Sequence, residues 1–247
     1  MSVPHGYERV VANIDRSMTV VQESLLMKIS RVIDLSVPLT SATQVYPGDP
    51  TVAFAPHSTI AADGFNLLAV TMGSQSGTHV DAPYHFDENT PRIDEVALER
   101  FIGTGVVVDA RSAGARGRIT TAHLAPVRDR LKPGVIVLLH TGWSTHYGTP
   151  SYFDHPYLDH EACTLLLERG VRTIGIDAIN LDETPDDEHP GEGFPSHHLI
   201  AEAGGIIIEN LTNLSQITVE NTLISVFPLA FVGADGAPVR AVAIETE

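Results

Sequence analysis

The segment Ser76-Gly77-Thr78-His79-Val80-Asp81-Ala82-Pro83-Tyr84-His85-Phe86 sets two imidazoles and a carboxylate within seven residues. On an extended backbone His79 and Asp81, two apart, project from one face. A nitrogen and an oxygen donor on a common face suit a divalent cation of the Zn or Mn type. Pro83 fixes its φ at about −65° and disfavours a helical continuation, which puts His85 on a turn beside the cation rather than on the strand. A general acid/base belongs at that place, within reach of the proton of an activated water. A surface turn carrying two solvated histidines is the plainer reading, and spacing alone does not separate the two.

The elements that must position these groups read as an α/β chain. Strand signals begin at 32–36, and Tyr46-Pro47-Gly48-Asp49-Pro50 reads as a turn. Residues 66–72 read as a strand leading straight into the motif, 93–101 as a short helix and 105–110 as a buried strand. Residues 121–130 form a helix candidate capped by Thr120 or Thr121, and 134–140 an apolar strand. A helix over 159–170 has Asp159 to cap it and Gly170 to end it, followed by a strand at 171–177. An acidic Pro- and Gly-rich loop at 185–195 precedes a short helix from Ser196, a strand at 205–209 and two closing strands at 222–228 and 239–245. β-rich runs broken by three or four helices imply one α/β domain, 28–247, whose central sheet is buried on both faces. Residues 1–27 read as an N-terminal extension with no clear apolar stripe.

Composition narrows the function classes. With 247 residues and 43% hydrophobic content the chain can bury a substantial core. A formal net charge of −16 argues against nucleic acid and against an anionic membrane surface as partner, and is compatible with an enzyme acting on a small-molecule substrate. The single cysteine, Cys163, cannot form an intrachain disulfide, so a reducing cytoplasm is the default. It reads as part of a buried helix face and not as a nucleophile. Residues 1–27 lack the continuous apolar run of a secretory signal, and no window approaches the roughly 20 apolar residues that span a bilayer.

Further donors lie at Ser196-His197-His198 and Glu209. A carboxylate at the end of the apolar run 205–208 is costly unless paired or bound to a cation, although it could simply face solvent. Adjacent His197 and His198 diverge, so at most one faces a cation. His140 reads as a core or pocket histidine, and His5, His57, His123, His146, His160 and His189 as solvated. Trp143, Tyr46, Tyr84, Phe86 and Phe194 are candidates for an apolar pocket, each with core packing as the default. Arg92 is the basic residue nearest the motif in sequence.

The chain resembles the cyclase-like metal hydrolases, the family that includes bacterial kynurenine formamidase and isatin hydrolase. The family motif His-x-Gly-Thr-His-x-Asp-x-Pro-x-His aligns with Gln75 to His85, and the resemblance runs from about Ile33 through Tyr46-Pro47-Gly48-Asp49, His197-His198-Leu199 and Glu209-Asn210-Leu211. It implies a single swivelling β/β/α-type domain with a central mixed sheet and flanking helices, usually assembled as a homodimer. It also implies metal ligands at His79, Asp81, His197 and Glu209, and a general acid/base at His85. The activity implied is metal-dependent hydrolysis of the C–N bond of a small, open or cyclic amide. Alternatives are a lactonase or cyclase/dehydratase on the same site, or a catalytically inactive binding protein. Keeping His85 speaks against the last.

The chain departs from the family at Gln75, where the formamidases have a histidine ligand. A Gln side chain offers an oxygen in place of imidazole nitrogen, which favours Mn over Zn. Gln75, His79, Asp81, His197 and Glu209 then fit one five- or six-coordinate cation better than two closed Zn sites. Tyr46 stands where formamidases place a tryptophan against the substrate ring, which points away from kynurenine formamidase activity itself. Tyr46 and Phe194 are the expected substrate contacts.

Overall fold

A computed structural model describes residues 28–247, so the expected 1–27 extension lies outside the described residues. The strands are β1 (Ile29–Asp34), β2 (Ala53–Ser58), β3 (Leu67–Thr71), β4 (His79–Asp81), β5 (Ile102–Asp109), β6 (Arg118–Ile119) and β7 (Val135–His140). They continue with β8 (Tyr157–Leu158), β9 (Thr173–Ile176), β10 (Ile206–Glu209), β11 (Leu223–Ser225), β12 (Gly236–Pro238) and β13 (Val242–Thr246). The helices are α1 (Ile60–Asp63), α2 (Thr121–Leu124), α3 (His160–Glu168) and α4 (Pro195–Glu202).

Nine strands join one mixed sheet in the order β1-β13-β11-β5-β7-β9-β10-β4-β12. Strands β5, β7, β9 and β10 are parallel, and their near-continuous apolar runs are what a sheet covered on both faces requires. On one face Val137, Leu139, Ile174, Ile176 and Ile207 pack with Ala162, Cys163 and Leu166 of α3 and Ile200 of α4. On the other, Val80, Ile136, Leu138, Ile206 and Ile208 pack with Leu35, Phe101 and Leu211. The expected central mixed sheet with flanking helices is the observed architecture. Cys163 is fully buried, and burial pushes its thiol pKa up to about 12, far from nucleophilic use.

Two local expectations, those for 93–101 and 121–130, need correction, while the strand over 66–72 is present. That strand, β3, pairs only with β2 as a separate ribbon outside the main sheet. Among the described residues nothing covers either ribbon face, and Leu67, Leu68 and Val70 are about half exposed. Residues 93–101 hold two separate turns in place of a helix, one closed by the Glu95 and Val96 N–H groups on the Arg92 carbonyl and one at Leu98–Arg100, because Ala97 between them adopts an extended ψ of 133°. The helix expected over 121–130 stops after Leu124 and tightens to a 3₁₀ turn over Ala125–Arg130. Pro126 has no N–H to continue an α-helical ladder. The 159–170 reading holds: Asp159 accepts the Glu161 N–H as N-cap, and Gly170 turns the chain at φ 82°. No helix among the described residues is long and apolar enough to cross a membrane.

His155 couples this frame to pH. It is 1% exposed, with Nδ1 2.9 Å from the Pro156 carbonyl oxygen and Nε2 2.8 Å from Thr184 Oγ1, an arrangement complete for a neutral ring. Burial pulls its pKa down to about 4. The unfolded chain takes up this proton near the ordinary value of about 6.5 and the folded one resists until about 4. The contribution is therefore present above the first value and lost as pH falls through the second, roughly 3 kcal/mol in all. Urea midpoints measured at pH 7 and 4.5 are expected to fall less for His155→Gln than for the wild type. Equal falls would remove His155 from the acid response.

Candidate metal and acid/base site

The motif enters β4 through a turn that only its own residues allow. Gly77 has φ +66°, and a Cβ there would stand 2.6 Å from Leu39 Cδ2. Thr78 Oγ1 donates to the Asn210 carbonyl at 2.6 Å and accepts from Val37 N–H at 2.9 Å, tying the start of β4 to the exit of β10. Antiparallel register then sets His79 directly opposite Glu209 and Asp81 opposite Ile207. All four point to one face, because alternate residues of a strand share a side. Pro83 ends the strand, and Pro83–His85 forms a 3₁₀ turn that lifts His85 off it, as its position after the proline suggested.

His197 arrives from α4, placed by a residue sequence reasoning did not single out. Asp182 accepts the backbone N–H of Ser196 and of His197, each at 3.0 Å, serving the free amides of the helix start. The same carboxylate takes His197 Nδ1–H at 2.7 Å. His79 Nδ1–H in turn donates to the Gly77 carbonyl at 2.8 Å. Both rings therefore present bare Nε2 atoms to the carboxylates, in the manner of oriented metal-ligating histidines. His198 faces outward and exposed.

Four donors converge. His79 Nε2 lies 3.2 Å from Asp81 Oδ1 and 3.6 Å from Glu209 Oε2, and His197 Nε2 lies 3.3 Å from Glu209 Oε1 and 3.6 Å from Asp81 Oδ2. Ligands about 2.1 Å from a common ion stand about 3.0 Å apart at right angles and about 3.4 Å apart at the tetrahedral angle, so these spacings fit one shell. His79, Asp81 and His197 are each 3% exposed. Glu209 Oε1 is fixed by Leu181 N–H at 2.8 Å.

The charge pattern calls for a cation at the centre. Burial lowers the His79 pKa, yet the facing carboxylates of Asp81 and Glu209, which favour a protonated ring, outweigh it and push it up to about 10. His197 is raised as well, with Asp182 its strongest partner against burial. Burial raises Asp81 and Glu209, and the imidazoles nonetheless hold both below the ordinary carboxylate range. Two carboxylates facing two bare ring nitrogens repel unless protons or a divalent ion sit between them. Asp81 Oδ1 and Gln75 Oε1 are buried without any hydrogen-bond partner, which fits donors meant for a metal ion.

Gln75 and His85 sit on the neighbouring side of the site around Asp235, which sequence reasoning also missed. Asp235 Oδ2 is 3.0 Å from His85 Nδ1 and accepts Gln75 Nε2–H at 2.8 Å, and Oδ1 accepts Ser74 Oγ–H at 2.8 Å. Burial lowers the His85 pKa, but the Asp235 hydrogen bond more than compensates and the value is raised. Asp235 itself, raised by burial, is drawn down by His85 and its other donors to about 2. No local pattern announces Asp182 or Asp235, since each lies far in sequence from the histidine it meets.

A cavity of about 400 Å³ opens on these groups. Tyr46, Phe86 and Phe194 wall it, with Phe194 centred 5.1 Å from Phe86 and 6.3 Å from Tyr46, and Phe86 4.5 Å from His197. No Lys or Arg among the described residues lines it. Arg92 instead lies over the Tyr84 ring at 4.2 Å, and Trp143 packs on His146 with its Nε1–H donated to Ser151. Asp182→Ala is expected to free His197 and strip two cap bonds, lowering divalent-cation affinity about 10–100-fold in calorimetric titration of the apoprotein. Wild-type affinity in that variant would refute the orienting role.

The Cyclase family model matches residues 33–183. Kynurenine formamidase of Bacillus cytotoxicus is 32% identical over 220 residues, covering 87% of this chain and 98% of its own length. That of Bacillus mycoides is 31% identical with the same coverage. Isatin hydrolase A from Labrenzia aggregata superposes with a TM-score of 0.79 at 23% identity, covering 95% of this chain and all of its own, a likeness of fold. A structure described as a potential metal-dependent hydrolase with cyclase activity gives a TM-score of 0.72 at 26% identity, over 88% of this chain and 98% of that one.

Proposed function

Because this chain belongs to the Cyclase family, we propose that it is a metal-dependent amidohydrolase acting on the C–N bond of a small, uncharged aryl amide, open or cyclic. The observation that carries the reading is the buried convergence of His79, Asp81, His197 and Glu209 beside His85 at the wall of an aromatic cavity. Gln75, through Oε1, joins those four as the residues that would hold the cation. A divalent ion there supplies Lewis acidity and brings the pKa of water toward neutrality.

The chain's own residues do the rest. Tyr46, Phe86 and Phe194 stack a planar substrate and keep bulk water from the reacting carbonyl. His85 Nε2 takes the proton of the attacking water and returns it to the departing nitrogen, so one imidazole serves as base and then acid. A cavity edged by Asp49 and Asp235 without a cationic side chain repels carboxylates, which is why the substrate class is uncharged. The oxygen-rich donor set favours one Mn per chain over Zn. The resemblance and the open apolar ribbon β2–β3 support a homodimer, and the lone, buried Cys163 is compatible with a reducing cytoplasm.

Elemental analysis of the purified protein, paired with turnover of an N-formyl arylamine and a fused cyclic aryl amide, tests this. About one Mn per chain is expected, with hydrolysis abolished by chelation and restored by Mn. Undiminished hydrolysis after exhaustive chelation would overturn the metal mechanism. Turnover confined to lactones would replace the amidase reading by the lactonase one.

A further inference from the structure

Asp235 is delivered to His85 by an arrangement more specific than a surface ion pair. Strand β12 pairs with β4 so that Gly236 lies opposite Asp81, and Ala82 N–H binds the Asp235 carbonyl at 2.9 Å. The backbone here runs so close that a Cβ on Gly236 would stand 2.6 Å from both Gln75 Nε2 and the Val80 carbonyl oxygen. Both carboxylate oxygens of Asp235 are engaged, Oδ1 by Ser74 and Oδ2 by Gln75 and His85. The His85 ring is steadied from a second direction by the edge-on Phe86 ring, with centroids 4.7 Å apart at 90°.

We infer that Asp235 is a positioning residue that holds the His85 proton on Nδ1 and so leaves Nε2 bare toward the cavity, with Ser74 and Gln75 fixing the carboxylate that does this. The inference rests on the reading of His85 as acid/base. A free imidazole prefers the proton on the other nitrogen and turns about its χ angles. Without Asp235, the ring presents the wrong nitrogen, in the wrong direction, for most of the time. A carboxamide at 235 keeps an oxygen where Oδ2 stands and turns its NH₂ to Ser74 Oγ, so the conservative change preserves the tautomer.

The test uses the full chain in its metal-loaded form. Asp235→Ala, assayed with Mn in saturating excess so that the loosened Gln75 does not empty the site, is expected to lower kcat for the aryl amide about 10–100-fold with KM within about twofold. Asp235→Asn is expected to recover part of that loss. In a His85→Ala background, removing Asp235 is expected to cost nothing further, because the two act as one unit. Nitrogen-15 correlation spectra of the imidazoles, taken with diamagnetic Zn in place of Mn and with His85 assigned by its absence from His85→Gln, read the tautomer without any substrate. The Nδ1–H form is expected in the wild type and Asp235→Asn, and the Nε2–H form in Asp235→Ala. An unchanged tautomer in Asp235→Ala, an undiminished kcat, or an equal loss in the His85→Ala background each overturns the assignment. A wild type that turns over no amide fails the amidohydrolase reading while the tautomer still decides the role of Asp235.

Discussion

His85→Ala is expected to lower kcat for amide hydrolysis about 10²–10⁴-fold, the range a positioned proton-transfer group contributes, while metal per chain stays at the wild-type level. The separation follows from where the ring sits. His85 is on the turn after Pro83, off β4, and its partners are Asp235, Gln75 and Phe86 rather than the Glu209–His197 side of the cluster. Its side chain is 31% exposed, so truncation opens no core cavity and leaves folding intact. Steady-state kinetics beside elemental analysis measure both quantities. A variant that keeps its kcat would show that the proton is handled elsewhere. A variant that loses its metal would make His85 a ligand.

Glu209→Gln is expected to be the most damaging isosteric change in the site. The new amide oxygen still accepts Leu181 N–H, so β10 and the Leu181 turn keep their geometry, but one of the two buried negative charges is gone. Divalent-cation affinity falls at least ~100-fold and kcat/KM falls with it, since ligand charge sets affinity at hard oxygen sites. A ligand bound only by the folded state stabilises it by RT ln(1 + [L]/Kd), so a site weakened ~100-fold gives up about 2.7 kcal/mol of that stabilisation. Melting curves with and without Mn are therefore expected to converge in the variant and to separate in the wild type. A variant whose melting still rises with Mn as far as the wild type would dismiss Glu209 from the shell.

His79 and Asp81 were legible in the sequence because their relation is local, two residues on one short strand closed by a proline. Glu209 was not legible in that way. It stands opposite His79 through a pairing that joins residues far apart in the chain, and the single clue within its own neighbourhood was the oddity of a carboxylate ending an apolar run. His197 needed the family resemblance to be told from His198. The structure separates them through α4, which Asp182 caps and which turns one ring inward and the other out. Asp182 and Asp235 left no trace, because a carboxylate that orients a histidine needs no spacing or motif of its own. In the frame, the parallel strands announced themselves by continuous apolar runs. The pairing of β3 with β2 alone was not legible, because a strand pattern says nothing about which sheet will take it, and the expected helix over 121–130 ran too far although Pro126 marked its end.

The place of β4 in the sheet, between β10 and β12, sets the order in which the site can come into being. During synthesis the ribosome releases β4 about 150 residues before β12, an interval of about 8–30 s at 5–20 residues per second. For about the first 125 residues of it His79 and Asp81 lie on a strand with neither neighbour, and His197 and Glu209 arrive only toward its end, ahead of Asp235. Capture of the ion is thus reserved for a chain made past Glu209. Metal retention certifies a chain made through β10, and one released before it carries a motif with nothing to close it.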